Sequence, residues 1–388
     1  MKILFITEKY PPIVVSGNRV YNLVKHLSKI HDISVFTRKK NRWLFPMPVD
    51  YTLPKIKSIK KFYFNINDNL LLLPIMSLFK LGLISNSKFY FNSGKKEIFK
   101  NKKLFKNFDL VVASGPSWHA FYLAEYLYDN FKIPYILDYR DPWISKNKIE
   151  QNIQKRIIHK SLKVVTVTKF SVNQIKQITN YNNKIELIEN GINLDSLKQF
   201  QKIKSKNKKF HIGYAGSFVK YQGFKNLLEA INILPNSIKK NVFIEVCGKD
   251  INHTFEKLSN KFKINSNFYG HVNVDKVNQV LVKCDYLYSG QMIFNAIGGK
   301  IYHYLALNKP ILLNTQKGSQ LDLEFKKNKL GETSYSVKGL SKNIKQIYLN
   351  KQNNIFKKCN INEYIKNYDW KILSKKYNLV IKSINHKK

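Results

Sequence analysis

Arginine is scarce in this chain, cysteine is rarer still, and no apolar run is long enough to span a bilayer. The 388 residues hold three cysteines, Cys247, Cys284 and Cys359. They are odd in number, far apart and without metal-ligand spacing, which excludes a disulfide framework and a zinc knuckle and predicts thiols of a reducing cytoplasm. The most apolar stretch, residues 70–79, is broken by Pro74 and closed by Lys80, well short of the roughly 18–20 residues a spanning helix needs. The opening run Lys2–Thr7 is too brief for a signal peptide and has no small-residue cleavage site, so it reads as a buried strand. Acidic residues number 25 against 67 basic ones, for a net charge of +42, and only five of the basic residues are Arg. There is no Gly-x-Gly-x-x-Gly, no Gly-x-x-x-x-Gly-Lys-Ser/Thr, no His-Glu-x-x-His and no nucleophile elbow. Their absence disfavours nicotinamide enzymes, P-loop NTPases, zinc peptidases and α/β-hydrolases.

What is abundant is Lys, with 43 Asn and much Ile beside it. All three are encoded by AT-rich codons, so codon drift and attraction to an acidic partner are both open readings of the charge. A specific nucleic-acid partner is not expected: no RNA or DNA motif is present, and no basic block carries interleaved stacking aromatics.

Apolar residues make up 44% of the chain, enough for a substantial core. Short, nearly continuous apolar runs at 2–7, 33–37, 110–114, 135–138, 163–167 and 185–188 read as strands buried on both faces of a parallel sheet. Between the first two, Val20, Leu23, Val24 and Leu27 form one helical stripe. Residues 197–209 are polar and basic and read as a linker. The alternation then restarts with strands at 211–214, 243–247, 267–269, 286–289 and 310–313. Two doubly wound α/β domains in tandem are expected, at 1–200 and 210–365, with residues 366–388 as a closing helix packing back toward the first domain. Ligands of such sheets bind at the carboxyl ends of the strands, so a cleft between facing domains is the default site. Residues 41–105, rich in aromatics, Leu and Lys, break the pattern. They read as an insertion that is either a buried helix pair or an amphipathic stretch lying on a membrane surface.

Three places put glycine where a strand ends and a helix begins: Gly17 after Pro11-Pro12, Gly216 through Gly223, and Gly298-Gly299-Lys300. Helix N-termini bind phosphate, and Lys300 adds a point charge. Each alone is equally a plain β-to-α turn; together they point to a diphosphate ligand.

Taken in order, these segments resemble retaining glycosyltransferases of family four, which have the GT-B architecture, and in particular members that build bacterial surface polysaccharides, lipopolysaccharide among them. The opening strand with Pro11-Pro12, Gly17 and Arg19 is similar to the family's N-terminal signature. So are the run from Leu137 through Asp141-Pro142-Trp143 and the Glu189-Asn190-Gly191-Ile192-Asn193 segment that closes the first domain. Tyr214-Ala215-Gly216-Ser217 opens the second, and Lys300-Ile301-Tyr302-His303-Tyr304-Leu305-Ala306 through Lys309-Pro310 looks like the family's Lys-x-x-Glu-Tyr-Leu-Ala-x-Gly-Lys-Pro segment. Trp370 in the final helix also fits.

The resemblance implies transfer of a sugar, of the hexosyltransferase type, from a nucleotide-diphosphate donor to a glycan or lipid-linked acceptor, with retention at the anomeric carbon. It implies a cytoplasmic protein, peripheral at the inner face of the plasma membrane if its acceptor is a lipid. No cofactor and no metal are expected; the nucleotide sugar is the substrate. Donor-binding candidates are Gly17, Gly216, Ser217, Lys220, Gln222, Gly223, Gly299, Lys300, Ile301 and His303. His119, just past a strand end, is placed to line the sugar pocket, or else is a histidine packed early in a helix. Asp141 at another strand end is placed to meet donor sugar or acceptor, or else is an N-cap beside Pro142. Residues 247–250 are placed to frame the base or ribose. The departure falls at the family's paired Glu, one gripping the donor sugar and the other the ribose: here the positions hold Asn295 and His303. Neutral His and Asn still exchange hydrogen bonds with hydroxyls, though a carboxylate is the stronger partner. A catalytically silent GT-B protein serving as a binding or partner subunit is the alternative.

Overall fold

Strand β1 (Lys2–Thr7) shows why the first sheet is layered on both sides. Successive side chains point to opposite faces, so Ile3 and Phe5 enter one core and Leu4 and Ile6 the other, all fully buried. In a computed structural model of the protein, residues 1–11, 18–39, 53–65, 86–145, 147–179, 184–203, 207–216, 218, 223–250, 253–291, 298–355 and 359–385 are described.

The chain divides into two units, one of Met1–Glu189 with Trp370–Lys388, the other of Asn190–Asp369. In the first, β1, β2 (Asp32–Arg38), β3 (Lys60–Phe64), β4 (Leu110–Gly115), β5 (Tyr135–Tyr139), β6 (Lys163–Thr166) and β7 (Ile185–Leu187) form a parallel sheet of order β3-β2-β1-β4-β5-β6-β7. Helices α1 (Asn18–Leu27), α2 (Asn86–Lys100), α3 (His119–Phe131), α4 (Lys148–Lys160) and α5 (Lys169–Thr179) accompany it. In the second unit, β8 (Phe210–Ala215), β9 (Val242–Cys247), β10 (Ser266–Phe268), β11 (Tyr286–Gln291), β12 (Ile311–Thr315) and β13 (Gly331–Ser334) run parallel in the order β10-β9-β8-β11-β12-β13. Its helices include α6 (Phe224–Asn232), α7 (Thr254–Phe262), α8 (Val274–Leu281), α9 (Gly299–Ala306), α10 (Gln320–Asn328) and α11 (Val337–Gln352). The closing helix α12 (Trp370–Asn385) returns to the first unit, where Trp370, Leu373, Tyr377 and Ile381 bury against Val20, Leu23 and Val24 of α1.

One expectation is corrected. The division falls at Glu189, not in a basic linker at 197–209. Leu197 and Phe200 are 4% and 5% exposed and packed in the second unit's core, which outweighs the lysines around them. The described parts of 41–105 belong to the first unit's fold. Residues 60–64 add an edge strand paired in parallel with β2, and α2 packs on α3 so tightly that a Cβ on Gly94 would meet Leu123 Cδ1 at 2.7 Å. Residues 70–79 lie outside the described residues.

One buried polar knot ties the first unit together. Arg19 of α1 donates from Nε to both oxygens of Asp138 on β5 (3.0 and 3.1 Å) and from a terminal nitrogen to Oδ1 (2.8 Å). Its other terminal nitrogen reaches the Glu189 carbonyl (2.8 Å), and its guanidinium lies 6.0 Å from the Trp370 ring centre. Ser114 donates to the remaining side of Asp138 at 2.7 Å. Only a planar, forked cation can meet a carboxylate and a carbonyl at once in this way.

Candidate functional site

In the second unit, the loops at the carboxyl ends of β8 and β9 cross at two glycines. Gly216 donates its N–H to the Cys247 carbonyl (2.9 Å), and Gly248 donates to the Gly270 carbonyl (2.8 Å). Gly248 has φ 158°, and a Cβ there would lie 1.9 Å from the Gly216 carbonyl oxygen. No other residue fits this crossing. Gly223, at φ 58°, caps α6, and its carbonyl accepts from Tyr288 at 2.6 Å.

Helix α9 opens beside this edge. A Cβ on Gly299 would meet nothing within 4 Å, so the space beside the first turn of α9 is open among the described residues, and the N-terminus of a helix is where an anion is favoured. Tyr304 secures the helix to β8: its hydroxyl accepts the Ala215 N–H (2.8 Å) and donates to the Ala215 carbonyl (3.2 Å). Lys300, partly buried, holds its ammonium 4.3 Å from the Tyr214 ring centre. Burial lowers its pKa to about 7. His303 pairs through Nε2 with Oδ1 of the buried Asn278 on α8 at 2.5 Å, and burial holds its pKa down to about 4. The imidazole is therefore neutral, and because Oδ1 accepts, Nε2 carries the proton. Nδ1 is then the lone-pair acceptor.

Past β9, a cavity of about 650 Å³ is lined by Gly248, Lys249, Asp250, Phe255, Phe268, Gly270 and His271 among others. Phe218 stacks on Phe255 (5.6 Å) and tilts against Phe268 (6.1 Å), while Phe268 is 45% exposed. Sequence reasoning did not single out these three rings or Asn278. A short Ser-Asn-Phe strand and a buried helical Asn carry no motif by which to find them.

The second unit thus brings together Gly216, Gly223, Gly299, Lys300 and His303 around the carboxyl edge of its sheet. Gly17, Ser217, Lys220, Gln222 and Asn295 lie outside the described residues. Two candidates are corrected. Ile301 is 1% exposed, in the core, and its N–H is donated to the Gly298 carbonyl at 3.0 Å; an isoleucine three residues into the cap points its side chain inward. His119 does not line an open pocket. It is fully buried, with Phe64 at 5.2 Å and Tyr90 at 5.5 Å, and neither ring nitrogen has a hydrogen-bond partner among the described residues. Burial, then Arg140 and Arg38, push its pKa down to about 3. The rings that cover it come from β3 and α2. Asp141 is exposed after β5, its carboxyl pushed up by the chain packed about it while Arg140 pulls the other way.

Two parallel α/β units, with a glycine crossing and an anion-ready helix end on the second, set this chain beside known families. Residues 16–196 match the model of Glycosyltransferase Family 4, and residues 195–368 match the model described as Glycosyl transferases group 1. No protein of curated function matches the chain by sequence. Among solved structures it is similar to the sucrose-phosphate synthase of Thermosynechococcus elongatus, with 13% identity over 100% of both chains and a TM-score of 0.72. It is similar to HepE of Anabaena, solved with UDP and glucose, with 15% identity over 99% of this chain and 100% of that one and a TM-score of 0.71. WaaG, a glycosyltransferase involved in lipopolysaccharide biosynthesis, aligns over 97% of this chain and 98% of its own at 15% identity and a TM-score of 0.63. At these identities the structural likeness is one of fold. The fold is GT-B and the class is glycosyltransferase. This chain belongs to the GT-B glycosyltransferases, its first half of the family-four type and its second of the group-1 type.

Proposed function

We propose that this protein transfers a hexosyl group from a UDP-sugar or related nucleotide-diphosphate sugar to a glycan or lipid-linked acceptor, with retention, in the assembly of a bacterial surface polysaccharide. The observation that carries the donor half is the open N-terminus of α9 with Lys300 beside it, next to a glycine crossing where backbone alone can approach a ligand. Amide dipoles and one ammonium are what a diphosphate requires, and the charge building on that diphosphate as it leaves is what they would neutralise. The nucleoside is assigned to the cavity past β9, with its base against the exposed face of Phe268. His303 takes a ribose hydroxyl at Nδ1, accepting as the family's carboxylate would but without its charge. Asp141 is assigned to the sugar or acceptor. In a retaining transfer the acceptor attacks from the face the diphosphate leaves, so positioning does most of the work and no protein nucleophile is needed.

The relatives support this reading in kind: HepE is solved with UDP and glucose, and WaaG acts in lipopolysaccharide biosynthesis. Among the described residues no helix is long and apolar enough to cross a membrane; a lipid-linked acceptor is assigned to the inner face of the plasma membrane as part of this proposal. Calorimetry with UDP- and GDP-sugars tests the donor, and product analysis with a lipid-linked acceptor tests the transfer. No binding of any nucleotide sugar refutes the donor half, while binding without turnover refutes the transfer and leaves a silent partner subunit.

A further inference from the structure

The outer face of α2 carries a pattern the donor site does not use. Lys88, Asn92, Lys95, Lys96, Phe99 and Lys100 are all exposed and spaced three or four apart, so they form one stripe on the helix. The opposite face is fixed against the core by Tyr90, Gly94 and Ile98, which leaves the stripe no freedom to turn inward. Lys102, Lys103 and Lys106 follow directly, around the short helix Lys102–Phe105. Among residues 86–108 there are seven lysines, no arginine and one acid, Glu97, whose carboxylate is engaged by the Asn101 side chain at 2.7 Å. Among the described residues, none of the seven ammonium groups enters an ion pair. Two large apolar side chains stand among them in water: Phe99, 70% exposed, and Leu104, 40% exposed.

We infer that this stripe is a docking surface for an anionic membrane. Ammonium groups on flexible stems gain near a negatively charged leaflet and leave their apolar stems along its surface. Phe99 and Leu104, which gain nothing in water, enter the hydrocarbon boundary between them. The chemistry separates this surface from a nucleic-acid site: there is no guanidinium to fork onto a phosphate or base edge, and Leu104 has no π-face on which a base stacks. The inference rests on the lipid-facing part of the function proposed above, not on its donor half.

The test is co-sedimentation with phosphatidylcholine vesicles, plain or with about 30% phosphatidylglycerol, at about 0.1 M and about 0.5 M salt. The wild-type protein is expected to bind the anionic vesicles at low salt, more weakly at high salt, and the neutral ones hardly at all. The combined substitution Lys95→Glu, Lys96→Glu, Lys100→Glu and Lys103→Glu is expected to weaken binding by about a hundredfold or more, and Phe99→Ser by about tenfold. The control reverses four exposed lysines of the second unit, Lys327, Lys338, Lys342 and Lys345, and is expected to change binding far less. Thermal melting and UDP-sugar calorimetry on each variant are expected to match the wild type, which keeps a folding defect or a failed donor assignment distinct from a failed surface. Equal losses in the control, no wild-type binding to anionic vesicles, or unchanged vesicle binding in the combined α2 variant would each overturn the inference.

Discussion

Lys300 makes donor binding a pH measurement. Its pKa is about 7 because burial strips water from the ammonium, whereas a lysine in water titrates near 10.4. Below its pKa it is a cation beside the α9 amides; above, it is a neutral amine. By simple titration it is about nine-tenths charged at about pH 6 and about one-tenth charged at about pH 8. If the charged form is the one that meets the diphosphate, affinity for a UDP-sugar falls about tenfold across that interval, or about 1.4 kcal/mol. A nucleotide sugar is the right probe, because its diester phosphates keep their charge over this range while the terminal phosphate of UDP does not. Calorimetry in two buffers of different protonation enthalpy adds an independent check: binding at about pH 8 takes up close to one proton, and at about pH 6 close to none. Lys300→Met keeps the length of the side chain against Tyr214 and is expected to bind weakly at all pH, with the slope gone. Affinity that stays flat from about pH 6 to about pH 8 in the wild type would refute the lowered pKa, and a slope that survives in Lys300→Met, or binding by Lys300→Met as tight as the wild type's, would refute the assignment of this amine to the diphosphate.

Gly248→Ala forces a methyl group to within 1.9 Å of the Gly216 carbonyl; thermal melting is expected to show the second unit destabilised by about 3 kcal/mol or more, and an unchanged melt would contradict the crossing. Asp138→Leu leaves Arg19 as a buried cation without its carboxylate and is expected to cost about 3–5 kcal/mol in denaturant unfolding. The double variant Arg19→Met with Asp138→Leu is expected to recover much of that loss, and a double variant as unstable as the sum of the two singles would argue against a direct pair. His303→Ala removes the acceptor held by Asn278 and is expected to raise the KM for donor about tenfold with kcat less affected; an unchanged KM would remove His303 from the ribose.

How much of this was legible in the sequence depends on which side of the chemistry a residue serves. Buried parallel strands are continuous apolar runs, so β1 was readable to the residue and β4 and β5 to within one at their ends. Strands β3 and β13 were not. Lys60-Lys61-Phe62-Tyr63-Phe64 lies at a sheet edge with one fully buried side chain, and Gly331-Glu332-Thr333-Ser334 has no apolar residue at all. The same limit explains His119. Its place after β4 was readable, but not that Phe64 and Tyr90, 55 and 29 positions earlier in the chain, close over it. At the carboxyl edge of the second sheet, the glycine turns and Lys300 stand out in the sequence because turns and charges announce themselves locally. Asn278 does not, since its meaning arises only where α8 meets α9.

The charge follows the same division. Of the five arginines, Arg42 lies outside the described residues and three, Arg19, Arg38 and Arg140, are at most 7% exposed in the first unit. Two of them fork, Arg19 onto Asp138 and the Glu189 carbonyl and Arg140 onto the carbonyls of Gly115 and Pro116, while Arg38 donates to the Tyr90 hydroxyl with Glu8 3.9 Å away. Arg156, more exposed, still grips Glu125 with two parallel bonds of 2.7 and 2.8 Å. The lysines instead populate surfaces, where a point charge on a flexible stem suffices. A lysine in place of Arg19 or Arg140 would leave buried acceptors unmet, so these sites would hold arginine even under codon drift toward Lys. Drift alone predicts surface lysine in proportion to exposed area, with acids interspersed at the chain's average. Residues 86–108 depart from that expectation, with seven lysines to one acid against 67 basic to 25 acidic residues overall, and with Phe99 and Leu104 exposed among them. Drift has no reason to place exposed hydrocarbon among cations that have no carboxylate partner among the described residues; an anionic bilayer suits both.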